Sequence, residues 1–123
     1  MTLTVRYSRI GTTLAKLNDR NGALQALNIA MENRKQLTER DPSNTLYQAH
    51  LASSFVALGD FFMSDKDKLD DAIRDYQAAV EIRQRLADKN RDNETWKQNL
   101  ADDQRKLEAA LAKKTSVEET ATK

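Results

Sequence analysis

The chain has a single imidazole, His50, and no cysteine, so nucleophilic or metal chemistry would have to start from His50, from hydroxyls or from carboxylates. His50 stands between Ala49 and Leu51. A Ser–His–Asp arrangement needs a hydroxyl and a carboxylate fixed on either side of the ring, and no spacing in the sequence specifies them, so His50 reads as a packing or surface residue. The densest acidic group, Asp65, Asp67, Asp70 and Asp71, invites comparison with a calcium loop. Lys66 and Lys68 interrupt it, the turn glycine is missing, and no glutamate closes it, so it reads as a solvated turn that supplies helix caps. No glycine-rich phosphate loop is present. Arg34 and Arg83 each lie one turn before a leucine, Leu37 and Leu86, and admit two readings. They form a ladder of guanidinium groups facing a ligand, or their stems cover apolar surface while their heads pair with acids near Glu32 and Asp88; the second is preferred. The sequence therefore assigns no catalytic residue, no metal ligand and no cofactor, and the expectation is a non-enzymatic protein.

Charge and hydropathy narrow the partners. Twenty Lys and Arg against nineteen Asp and Glu leave no basic field for nucleic acid, and Lys113-Lys114 is too short to make one. No run of some 18 apolar residues offers a membrane span, and the start Met1-Thr-Leu-Thr-Val-Arg lacks the pattern of a signal peptide. A cytoplasmic location is the default expectation.

The elements that must position any site are helices. Three glycines and one proline in 123 residues are far too few for a turn-rich β fold. Apolar residues recur three and four apart, as in Leu3, Tyr7, Ile10, Leu14 and Leu17, and again in Leu51, Phe55, Leu58 and Phe62. The pattern also repeats at long range. Ala23, Leu27 and Ala30 recur 49 residues on as Ala72, Tyr76 and Ala79, and the register holds through Arg34/Arg83, Asn44/Asn93, Tyr47/Trp96 and Leu51/Leu100. Upstream of Ala23 the offset is 48, pairing Tyr7 with Phe55 and Gly11 with Gly59, so one residue has been inserted in the polar stretch around Ser64–Lys68. The spacing predicts five helices over about 3–18, 22–40, 44–64, 68–89 and 93–113. Asn21-Gly22 separates the first two, and Asn44, Asp67 and Asn93 are the expected N-caps.

Tyr7-x-x-Ile10-Gly11-x-x-Leu14 followed by Ala23-x-x-x-Leu27-x-x-Ala30, and Phe55-x-x-Leu58-Gly59-x-x-Phe62 followed by Ala72-x-x-x-Tyr76-x-x-Ala79, resemble the tetratricopeptide repeat signature. The usual period is about 34 residues; the longer one here is similar to long-helix arrays in large bacterial signalling proteins. The resemblance implies an all-α fold of stacked helical hairpins over residues 1–112, with units at about 3–40 and 44–89. A capping helix would follow at 93–112, because Gln104 and Glu108 replace Phe55 and Gly59 there, and 113–123 would be a disordered tail. Met1 falls opposite Ala49, so the first unit is expected to be blunt: either the chain is cut from a longer array or it is a short natural form with one blunt end, and that end could self-associate.

By the same resemblance the first helix of each unit lines a concave groove for a protein or peptide partner. Carried over from Gly11 and Gly59, its residues would be Val5, Ser8, Thr12 and Lys16 in the first unit and Ser53, Val56, Asp60 and Met63 in the second. Phe61, if exposed, would be a binding hot spot. The family's carboxylate-clamp version is disfavoured, since Ser8, Thr12, Ala57 and Asp102 stand where it needs cations or amides and only Lys106 has the right charge. The alternative roles are a structural or oligomerising segment, or the regulatory domain of a multidomain signalling enzyme.

Overall fold

The computed structural model describes residues 19–121. Four α-helices follow one another, α1 (Arg20–Arg40), α2 (Thr45–Met63), α3 (Leu69–Lys89) and α4 (Glu94–Ala121), with a 3-10 turn at Lys66–Lys68 between α2 and α3. The protein is all-α, and no strand occurs among the described residues. The helix expected over 3–18, with Val5, Ser8, Thr12 and Lys16, lies outside them.

Connections obey local capping chemistry. Asn44 accepts from the Tyr47 amide at 3.1 Å and Asn93 from the Trp96 amide at 3.0 Å, as their type and position predicted. Two expectations need correction. Asp19, not Asn21-Gly22, starts α1: its carboxylate accepts from the Gly22 amide at 3.0 Å, which places Gly22 inside the first turn. Asp65 takes the role given to Asp67, accepting from the Asp67 amide at 2.9 Å to open the 3-10 turn, and α3 then begins without a side-chain cap. None of the residues of this turn, Lys66–Lys68, is buried.

Each helix packs on the next in sequence order. Leu27, Met31 and Leu58 join α1 to α2; Ala52, Ala79, Ile82 and Leu86 join α2 to α3; Ala72, Ile73, Tyr76 and Ala110 join α3 to α4. Val56, Phe55 and Phe62 each pack against two of these clusters and tie them together. Small residues set the spacing. Ala52, Ala72, Ala79 and Ala110 are fully buried, so paired backbones approach closely where they sit. At Gly59 there is no room even for a methyl group, because a Cβ there would lie 2.5 Å from Cε1 of Tyr76. α3 is in contact with both α2 and α4 and has the longest run of buried residues, from Leu69 to Ala87.

The last helix overruns its expected end. Residues beyond 112 continue α4 to Ala121 where a disordered tail was expected. No glycine or proline interrupts them, Lys114 reaches Asp70 of α3 at 2.7 Å, and Thr115 bonds back to the Leu111 carbonyl at 3.1 Å. Helix continuation adds one backbone bond per residue once nucleated, so little apolar surface is needed to carry it outward.

Candidate functional site

The candidate site is the face that α2 shares with α4. Ser53, Val56, Asp60 and Met63 recur three and four apart on α2, and helical geometry puts them on one side. On α4, Asp102, Lys106, Ala109 and Lys113 form the matching row, and two of them reach across. Lys106 Nζ contacts both Asp60 oxygens, at 3.1 and 2.9 Å, and Lys113 Nζ donates to the Met63 carbonyl at 2.7 Å.

The four described residues expected to line a groove therefore have defined neighbours. Ser53 is exposed and its hydroxyl accepts from Arg83 Nη2 at 3.1 Å. Val56 and Met63 are half-buried and pack against the α3 clusters. Asp60 is the polar centre, accepting from the Tyr76 hydroxyl at 2.6 Å as well as from Lys106. Burial of the ring, together with the hydrogen bond to Asp60, raises the Tyr76 phenol above its ordinary value and keeps it the donor. Phe61 stands apart from this row. It is half-buried, with its ring edge-on to Phe62 at 5.5 Å and the Arg20 guanidinium 4.2 Å above it. Arg20 also donates to the Phe61 carbonyl at 3.2 Å, so with Lys113 it places two cations on the carbonyl end of α2, where the helix dipole favours them.

Beneath the face lies a polar layer. Arg34 and Arg83 are 6% and 7% exposed. Their heads turn inward rather than pairing with acids near Glu32 and Asp88. Arg34 Nη1 donates to Ser54 Oγ at 2.7 Å and to the His50 carbonyl at 3.0 Å. Arg83 Nε donates to Asp103 Oδ2 at 2.8 Å, while its Nη groups reach the Ala49 carbonyl at 3.4 Å and Ser53. Each arginine thus meets the side chain 20 residues further on, Ser54 in one case and Asp103 in the other. Burial, with both guanidinium charges nearby, holds the His50 imidazole below its ordinary value, so it is neutral at pH 7. A neutral ring between two cations is a poor general acid at that pH.

The acidic group around residues 65–71 is dispersed into separate tasks. Asp65 caps the turn, Asp70 pairs with Lys114 at 2.7 Å, and Asp71 pairs with Arg74 at 3.1 Å. Among the described residues no three His or acidic side chains are grouped as a metal would need. No helix there is long and apolar enough to cross a membrane. Sequence reasoning missed the Tyr76–Asp60–Lys106 link, for which no local signal exists, and the Arg83–Asp103 pair, for which one did: Ser54 and Asp103 share the 49-residue register. No protein-family model, no curated protein and no solved structure matches this chain.

Proposed function

We propose that the chain is a tetratricopeptide-like interaction module whose α2–α4 face receives an extended or helical segment of a protein partner. The observation that carries this reading is the pair of equivalent contacts, Arg34 to Ser54 and Arg83 to Asp103, each joining a second helix of one unit to the first helix of the next over 20 residues. A repeated inter-unit contact is what a stack of nearest-neighbour repeats requires. The tight crossing of Gly59 on Tyr76 supports it, since it falls at the glycine of the signature. On this reading Ser53 and Asp60 stay accessible at the rim, Val56 and Met63 form the floor, and Ala109, exposed between Lys106 and Lys113, completes the opposite wall.

The test is selection of peptides from a random library on the purified domain, followed by binding to Ser53→Lys and Ala109→Lys variants with the helical spectrum checked. Loss of binding in both, with binding intact in Gln77→Lys on exposed α3 surface, is the expected result; binding that survives both changes would overturn the groove assignment. A second reading, a structural segment that spaces or oligomerises a larger protein, is favoured by one observation. On this face Lys106 is paired with Asp60 and Arg105 with Asp102, and Lys113 donates to the Met63 carbonyl, which leaves only a weak charge code for a ligand. Sedimentation across concentration separates the two, because a chain that remains monomeric counts against oligomerisation.

A further inference from the structure

Asp75 is the one buried carboxylate among the described residues without a compensating buried cation. It is 4% exposed, and its Oδ2 has no hydrogen-bond partner. The cation that does approach, Arg74, lies on the same helix, 3.5 Å from Oδ1, with its own side chain 67% exposed. The like charge of Asp71 acts against it. Groups on the surrounding elements are engaged elsewhere. On α2, Asp60 is held by Tyr76 and Lys106, and burial with the Arg34 and Arg83 charges holds the His50 imidazole below its ordinary value. On α4, Asp103 binds Arg83, Asp102 binds Arg105, Lys113 binds the Met63 carbonyl and Lys114 binds Asp70. On α1, Arg34 is bonded to Ser54 and the His50 carbonyl, and Lys66, Asp67 and Lys68 of the 3-10 turn are exposed. None of these groups is hydrogen-bonded or ion-paired with Asp75. At the equivalent place in the first unit stands Ala26, also buried, so a methyl suffices there and the carboxyl is an addition peculiar to the second unit.

We propose that Asp75 is a proton-responsive element built into α3: uncharged it leaves the α2–α3–α4 packing tight, and charged it loosens that packing, so mild acidification consolidates the domain. A buried charge without a partner is expelled from low-dielectric surroundings, and the folded chain can relieve it only by binding a proton or opening toward water. Burial raises the Asp75 carboxyl from 3.8 to about 6, with Arg74 offsetting part of the effect. The folded state then holds more protons than the unfolded state between those values, so stability falls as pH rises through that interval and is level above it. Because α3 contacts both α2 and α4, both walls of the proposed groove feel the change. The inference itself stands on Asp75 alone and does not depend on the groove binding anything.

The experiment is urea unfolding of the wild type and of Asp75→Asn from pH 4 to pH 8, followed by far-ultraviolet circular dichroism. The wild-type folding constant is expected to fall, relative to the variant, by up to about 100-fold between pH 4 and pH 7. Curves that stay within about threefold of one another across the range overturn the proposal. If the variant does not fold, the wild type alone decides, by titration of the Asp75 side-chain carboxyl carbon in the nuclear magnetic resonance spectrum. A midpoint above about 5 supports the proposal and one at or below it overturns it.

Discussion

Gly59→Ala sets helix propensity against packing, and the two predict opposite signs. Gly59 lies inside α2, where replacing glycine by alanine in an open helix gains about 1 kcal/mol. Here the added Cβ would fall 2.5 Å from Cε1, 2.6 Å from Cδ1 and 3.0 Å from Cζ of Tyr76, against an ordinary carbon contact of about 3.5–4 Å. Relief requires the ring to move by roughly 1 Å, or the two helices to part by as much. Tyr76 cannot swing away freely: it is 2% exposed, and its hydroxyl is held by Asp60 at 2.6 Å. Overpacking of this kind costs about 1–3 kcal/mol, and straining the charge-assisted bond to Asp60 adds about 1 kcal/mol. The net expectation is destabilisation by about 1–3 kcal/mol, measured by urea unfolding. Tyr76→Leu removes the obstruction, and in that background Gly59→Ala should be neutral or stabilising, which gives a coupling energy of about 1–4 kcal/mol in the double-mutant cycle. An increase in stability on Gly59→Ala alone would refute the argument that this glycine is required by the crossing.

Two further changes test the rest of the scaffold. Asp103→Ala leaves Arg83 buried without its carboxylate and should cost about 3–5 kcal/mol, whereas Asp103→Ser, which copies the Ser54 arrangement, should cost clearly less; equal losses in urea unfolding would undo the equivalence of the two arginines. Ending the chain after Lys113 removes the last turns of α4 and the exposed Lys114–Asp70 pair, so stability should change by less than about 1 kcal/mol while the total helical ellipticity falls; unchanged total ellipticity would mean that residues 114–121 contribute no helix.

What could be read from the sequence divides along physical lines. Helix type and most boundaries follow from the three-and-four spacing and from caps such as Asn44 and Asn93, because these are local interactions between residues near in sequence. The end of α4 escapes the sequence for the same reason. Composition suggests a tail after Lys113, but no glycine or proline stops the nucleated helix there, and Asp70 of α3 offers Lys114 a contact from outside that stretch. The polar pairings were the hidden part. Nothing near Arg83 identifies Asp103 as its partner, and only the register shared with Ser54 connects them. Tyr76, Asp60 and Lys106 come from three helices and meet only once those helices have packed.

The composition of α4 also decides where a further helix would be unfavourable. α3 packs on α2 across Gly59, and the same register places Glu108 on α4, with Gln104 where Phe55 stands. Both are exposed. A helix laid on α4 in the manner of α3 on α2 would bury the Glu108 carboxylate in a crossing that, at Gly59, leaves no room even for a methyl group. Desolvating an unpaired carboxylate costs several kcal/mol. Covering the exposed Leu111 returns at most about 2–3 kcal/mol. The balance disfavours a helix laid on this face of α4 in the manner of α3 on α2.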